Sequence, residues 1–457
     1  MEPAAILVEG GRIQAVWPLE VEPHGTDALA VQAGARLVDF GDRLITPSFV
    51  NAHVHLALSA LRSASLEQAS SSNLVEKLFY RVEREMQPSD IRAFARLGAY
   101  ESLLNGVGTV WDHYYSAPAV AEALIDVGLS GVVAPTLQDV AGPGEDAWEA
   151  SLLETERLVN DPRYAARGVF ACVGPHATDT VSPELWRKGL DLAKAHALPI
   201  HGHVAQSVEE VRRAYERHGC SPVELLARIG VLEEAPGGVW AHGLYASRSD
   251  LAHLAKPRHA LVFCPYSQLV FGFPARVVEW SRAGVEWVVA TDCAASNDSM
   301  NVQKELRFVA GQGTVGTAFT PAYERFLETG RLEDAEAVWS RRNAFHQSVS
   351  TDSLELLSRV WRRPGRMHPG FSAGEIAAGA LANLVVWDTS HPSFWPAKDP
   401  FRGLAMADTS LAIHAMYVMG REVGVAGDFH RSVSQSEGCR AAVAEASERL
   451  EALLARL

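Results

Sequence analysis

A chain of 457 residues is longer than one small core requires, and it fits a large α/β barrel with an accessory domain, or two to three ordinary domains. Its 47% hydrophobic and 21% charged residues are a globular balance, which excludes a disordered or fibrous protein. The formal net charge of −14 argues against nucleic acid or an anionic membrane as partner, since both call for a basic face. Five scattered cysteines with no CxxC fit a reduced compartment. The first residues, MEPAAILVEGGRIQAV, carry no basic n-region or long apolar core, and no run reaches the roughly 18 apolar residues of a membrane span. A cytoplasmic location follows as the expectation.

In chain order, AAILVEG and GRIQAVW read as two strands joined at Gly10-Gly11. From Val50 onward, short apolar runs alternate with longer helical stretches. Eight strands are expected: 50–56, 108–115, 131–138, 169–177, 199–206, 239–245, 260–268 and 287–294. Between them lie amphipathic helices such as PSDIRAFARLGAYESLLNG, with a cap signal at its start and Gly106 at its end, and SVEEVRRAYERHG, stopped by Gly219. Eight strands alternating with helices predict an α/β fold, a distorted (β/α)8 TIM-type barrel over residues 49–367.

Strand character returns in GEIAAGALANLVVWD and SLAIHAMYVMGREV. These runs are expected to pair with the first strands in a small composite β-sandwich domain formed by both chain ends, 1–48 plus 368–430. The segment 431–457 places Val443, Leu450, Leu453, Leu454 and Leu457 at helical spacing, which predicts a C-terminal helix packed on the body rather than a dimer zipper. Residues 62–86, inserted after the first barrel strand, are expected to lie over the barrel mouth as a lid.

Chemistry in such a barrel collects at the C-terminal ends of the strands. Seven of the 17 histidines fall there: His53, His55, His113, His176, His201, His203 and His242, joined by Asp112 and Asp292. His53 and His55, like His201 and His203, are spaced i and i+2 and so point to one face of their strand. Imidazoles plus a carboxylate suit a divalent metal such as zinc with a position left for water, whose pKa the metal lowers to yield hydroxide near neutral pH. His53, His55, one histidine of the fifth strand and Asp292 form such a ligand set. Trp111, Tyr114 and Tyr115 read as core residues of their strand, and Cys293 as a small buried one.

The sequence SFVNAHVHL resembles the PGFVNxHxHL opening of the amidohydrolase superfamily, in the branch of cytosine, guanine and S-adenosylhomocysteine deaminases and triazine chlorohydrolases. GPHATDTVS, HGHVAQS, WAHGLY, FCPYSQL and ATDCAASND continue the resemblance in order along nearly the whole chain. The tail GEIAAGALANLVVWD continues it too, with Asn383 where the pattern has Asp.

The resemblance implies one divalent metal ion, zinc in the first place with Fe2+ or Mn2+ as alternatives, bound by His53, His55, His203 and Asp292. It implies that His242 sits beside the attacking water and the reacting carbon, that Asp292 also carries a proton to the leaving group, and that His176 and Glu83 contact substrate. His113 faces either the substrate or a buried hydrogen-bond partner. Relatives are often dimers or larger.

Gln206 departs from the pattern, which places a proton-relaying glutamate there. An amide can hydrogen-bond but cannot shuttle a proton, and a lost general acid/base typically costs about 10²–10⁴-fold in rate. His242, His201 and His113 are candidates to take over that work. The function expected is a mononuclear metal-dependent aminohydrolase of an amino-substituted nitrogen heterocycle. The alternatives are hydrolysis of a cyclic amide or another C–N or C–halogen bond, or a metal-binding protein with lost activity.

Overall fold

A computed structural model describes residues 2–18, 34–63, 73–273, 275–317, 320–348, 352–396 and 398–457. Residues 64–72 of the expected lid lie outside the described residues.

The chain opens with a hairpin, β1 (Ala4–Glu9) and β2 (Arg12–Pro18), whose turn uses Gly10 and Gly11 at positive φ, a conformation that costs glycine little. A short β3 (Leu44–Pro47) leads into the barrel. The barrel strands are β4 (Phe49–Val54), β5 (Val107–Tyr114), β6 (Ser130–Leu137), β7 (Val169–Ala171), β8 (Gly174–Pro175), β9 (Ile200–Val204), β10 (Gly238–His242), β11 (His259–Phe263) and β12 (Glu286–Val289).

These strands pair in parallel as two arcs, β4-β5-β6-β7 and β9-β10-β11-β12, with β8 also on β6. The arcs join where His201 N–H donates to Val173 O (2.8 Å) and His203 N–H to His176 O (2.7 Å). On the far side Asp292 N–H donates to His53 O (3.1 Å), and the Asn51 amide bridges to Thr291 through two hydrogen bonds. At the opposite end of that seam, Val50 N–H and Val289 N–H donate to the carbonyls of Val360 and Arg359 rather than to each other's strands. Residues 359–360 thus wedge the first and last strands apart, which is the distortion of the barrel. The expected fourth strand, 169–177, is broken into β7 and β8 at Cys172–Val173.

The barrel is filled. Val50, Trp111, Val132, Val239, Val262 and Val288 point inward as one buried cluster, and Phe371, Ala373 and Leu381 plug its base. Trp111 is therefore core, while Tyr114 and Tyr115 line the pocket at the barrel mouth.

After the barrel come β13 (Leu384–Trp387), β14 (Ile413–Val418) and β15 (Arg421–Val423). They form an antiparallel sheet in the order β15-β14-β13-β3, so strands from both ends of the chain share it. The β1-β2 hairpin joins through Ile13 N–H to Ala380 O and Ala382 N–H to Gly11 O, both 2.9 Å. Ile13, Ala380, Ala382 and Leu384 make its small core.

Helix α1 (Pro88–Leu104) carries a capping box at Gln87 and Asp90, with proline in its first turn. Helix α2 (Val208–His218) is capped by Ser207 at one end and by left-handed Gly219 at the other. The last helix, α3 (Glu437–Leu454), packs on α1, with Arg96 Nη1 2.6 Å from Glu445 Oε2 and Arg456 paired to the buried Asp90. Its buried face is Cys439, Ala442, Ala446 and Leu453. Val443, Leu454 and Leu457 are exposed, so the expected leucine stripe is corrected to a face of mostly small residues that lets two helices lie close. Among the described residues no helix is long and apolar enough to cross a membrane.

Candidate active site

Strand geometry assembles the site. Alternation on β4 and β9 aims His53, His201 and His203 into the barrel mouth, and His55 follows at the end of β4. Gly202 separates the two histidines of β9 because a Cβ there would lie 2.5 Å from Pro175 O on the neighbouring strand. Ala205 (φ 50), His242 (φ 79) and Asp292 (φ 63) hold left-handed backbones where strands turn into loops. Non-glycine residues pay about 1–3 kcal/mol for such conformations and keep them where surroundings fix them, typically at functional sites.

The side chains of His53, His55 and His203 offer ligand atoms within 4.8 Å of one another, and those of His53, His242 and Asp292 do the same. The buried His53 Nε2 has no hydrogen-bond partner. Asp292 Oδ1 lies 3.6 Å from it and 3.5 Å from His55 Nε2, both too long for good hydrogen bonds. Two ligands of one tetrahedral zinc at about 2.0–2.1 Å stand about 3.3 Å apart, so these spacings fit a shared cation.

The Nδ1 atoms of His53, His55 and His203 are tied. His55 Nδ1 bonds His113 O (2.6 Å), and His203 Nδ1 bonds His176 O (2.9 Å). A carbonyl can only accept, so each Nδ1 carries the proton and each Nε2 keeps its lone pair for a metal. His53 Nδ1 meets His201 Nε2 at 2.8 Å, which places His201 behind a ligand rather than among the ligands. Burial, and then the neighbouring imidazoles, push His53 well below the ordinary histidine range. Burial and His55 push His203 down to about 3. Neutral imidazole is the form that ligates. Burial raises Asp292 against the pull of His55, and a cation among three imidazoles is what would keep that carboxylate ionised.

Asp292 has two faces. Its Oδ1 points at the imidazole pair and accepts Cys293 N–H (2.8 Å), while its Oδ2 accepts the Ser267 hydroxyl (2.6 Å) and lies 4.0 Å from His242 Nε2. Ser267, Asn51 and Thr291 are functional supports that sequence reasoning missed. Ser267 stood inside FCPYSQL, but nothing in that string says which hydroxyl reaches across to the next strand.

The pocket beside this cluster is lined by His55, His113, His176, His203, Gln206, His242 and Asp292, and from the other side by Val75, Phe79, Tyr80 and Glu83. His113 is buried, with Nδ1 3.1 Å from Thr136 Oγ1, so it both faces the pocket and holds a buried partner. His176 Nδ1 meets Thr180 Oγ1 at 2.9 Å. Gln206 reaches the pocket wall while its backbone N–H donates to Glu210 Oε2 (2.8 Å). Glu83 is pushed up to about 7 by burial, against a hydrogen bond from Tyr114. The free space among these side chains is about 40 Å³, room for a few waters.

The model of the amidohydrolase family matches residues 44–321. This chain belongs to the amidohydrolase family. It is 31% identical over 378 residues to a 5-methylthioadenosine/S-adenosylhomocysteine deaminase of Natronomonas pharaonis, covering 82% of this chain and 80% of the relative. Among solved structures it superposes on a zinc-bound adenosine deaminase of Xanthomonas campestris with a TM-score of 0.77, at 21% identity over 100% of this chain and 94% of that one. It also superposes on a zinc-complexed atrazine chlorohydrolase of Arthrobacter aurescens with a TM-score of 0.76, at 21% identity over 98% of this chain and 96% of that one. Family membership makes the chain a metal-dependent hydrolase of the deaminase-like kind, acting on C–N bonds, on the α/β barrel described above.

Proposed function

We propose that this amidohydrolase is a mononuclear aminohydrolase that removes ammonia from an amino-substituted nitrogen heterocycle. The substrate favoured is an adenine ring, as named for the relative of 31% identity. One divalent ion, zinc in the first place, would be held by His53, His55, His203 and Asp292. When bound, it supplies Lewis acidity that brings the pKa of water toward neutrality.

The chain's own groups then do the following. Asp292 Oδ2, held by the Ser267 hydroxyl, takes a proton from the attacking water and gives it to the departing nitrogen. His242 Nε2 stabilises charge that develops on the oxygen as it adds to the ring carbon. Water adds its oxygen to that carbon, the exocyclic C–N bond breaks, and ammonia leaves. Gln206 donates a hydrogen bond to a ring nitrogen, and His176, His113 and Glu83 contact the substrate.

We assign residues 49–367 to the catalytic barrel, 1–48 plus 368–430 to the composite β-domain, and 431–457 to the packed helix. Five free, buried cysteines support a reduced, cytoplasmic setting, and a dimer or larger homo-oligomer is the assembly favoured.

The observation that carries the reading is the two-faced Asp292, with one oxygen 3.5–3.6 Å from two imidazoles and the other 4.0 Å from a third. The test is ammonia release by zinc-loaded protein from aminopurine nucleosides (5-methylthioadenosine and S-adenosylhomocysteine first), aminopyrimidines, pterins and aminotriazines. Release from one class supports the reading. Gln206 favours a second reading, hydrolysis of a cyclic amide or C–halogen bond, whose carbon needs no ring protonation. Turnover without ammonia would select it, and metal binding with no turnover would select a binding protein.

A further inference from the structure

One wall of the pocket is a single segment. Residues 73–86 run as a π-helical turn, Val75–Phe79, followed by Tyr80–Glu83. Val75, Phe79, Tyr80 and Glu83 face inward. Single π-turns recur at functional sites, where they expose one residue more than an α-turn would.

Its outer side is held by charge. Glu76 pairs with Arg213 of α2, and Arg84 Nη1 lies 3.2 Å from Glu145 Oε1. Arg213 also bonds Asp179 Oδ2 at 2.9 Å. Asp179 is nearly buried and belongs to the loop after β8 that carries His176 and Thr180. Its carbonyl accepts Arg217 Nη1 at 2.6 Å. Helix α2 begins directly after Gln206, and from it Glu210 accepts Gln206 N–H and the Thr178 hydroxyl (2.7 Å). One guanidinium, carried by the helix that anchors Gln206, therefore touches both the segment that walls the pocket and the loop that bears His176. It does not touch the pocket itself.

We propose that Arg213 is a positioning residue that latches segment 73–86 shut over bound substrate and couples that closure to the placement of His176 and Gln206. The latch deepens the aminohydrolase reading and rests on it for the identity of the substrate, but not for the existence of the moving segment. Closed, the segment excludes water from the reacting carbon and brings Tyr80 and Glu83 against the ligand. Open, it admits and releases a flat ring. The Arg213 and Glu76 side chains are about 28% and 38% exposed, so the pair is screened by salt and is a weak, reversible clasp rather than a permanent bridge. Arg213 can keep Asp179 when Glu76 swings away, which holds the His176 loop in place through the cycle.

The test is a double-mutant cycle of Arg213→Ala and Glu76→Ala in the metal-loaded full chain, with Arg213→Lys as the conservative variant. Two readouts are used: hydrogen exchange of residues 73–86, which needs no turnover, and KM against kcat on whichever substrate the protein turns over. The latch predicts that each alanine variant speeds exchange in the segment and raises KM about fivefold with kcat nearly unchanged, the size of one partly exposed ion pair. It also predicts that the double variant is no worse than Arg213→Ala alone. Lysine recovers part of the loss, and high salt reproduces it in the unaltered chain. Equal exchange in all variants, or effects that add, would overturn the latch. If exchange follows the prediction while no substrate releases ammonia, the latch stands and the aminohydrolase reading falls. A chain that loses protection everywhere in Arg213→Ala is judged by Glu76→Ala, whose side chain is about 38% exposed.

Discussion

The pocket has two unlike walls. The metal-facing wall is made from the ends of β4, β9 and β10 and the turn after β12. Every functional side chain on it except the half-buried His55 is buried, and the Nδ1 atoms of His53, His55 and His203 are fixed by His201 and by two carbonyls. The opposite wall is segment 73–86, one short π-turn held from outside by exposed ion pairs. The first wall is pre-organised for charge, and the second is built to shift. The comparison teaches that the chemistry is placed on rigid strands and the choice and retention of substrate on the movable segment.

The comparison breaks first at Asp292. Asp292→Asn keeps the shape and removes the charge and the proton carrier. We expect kcat to fall by about 10³-fold or more in single-turnover assays, with the fold unchanged by circular dichroism. A loss below tenfold would mean that the rigid wall does not carry the proton.

His201→Phe tests the support behind that wall. It removes the partner of His53 Nδ1 and should weaken metal affinity by about 10–100-fold, measured by competition with a chelator, without touching the substrate side.

Gln206 stands where the walls meet. Gln206→Glu would put a carboxyl where the amide now lines the pocket. We expect kcat/KM on the protein's own substrate to drop about tenfold, the worth of one hydrogen bond to a ring nitrogen. A gain instead would mark the glutamine as a defect rather than a specialisation.

The movable wall gives the smallest effect. Glu83, raised to about 7 by burial, is neutral below that pH and ionised above it. An ionised carboxylate accepts hydrogen bonds more strongly, so KM should fall severalfold as pH rises through about 7, and Glu83→Gln should flatten the profile. A profile unchanged by that substitution would separate Glu83 from the substrate.

The rigid wall was also the legible one. Period-two alternation places His53 with His55 and His201 with His203 on one face whatever the loops do, and strand ends are where barrels keep their chemistry. The eight-strand rhythm and the shared sheet of both chain ends were readable for the same reason. Four features were not. The break at Cys172–Val173 leaves no local mark, because it lies where Cys172 N–H still bonds Val133 O while Val173 N–H turns to Pro199 O. Ser267 reaches Asp292 from the end of the neighbouring strand, a contact that pairing sets and local pattern does not. Segment 73–86 is placed by the sequence only as part of a lid, and its π-turn, which sets the residues that face inward, has no local signature. In α3 the large leucines looked like the core, but close packing on α1 selected the small residues instead.

The most direct test of the central claim is a zinc titration of metal-free protein, following ammonia release and bound metal together. The account predicts that the rate rises with zinc and levels off at one equivalent per chain, and that Asp292→Asn stays flat. A rate that needs two equivalents, or full zinc binding with no ammonia from any aminoheterocycle, would contradict a mononuclear aminohydrolase.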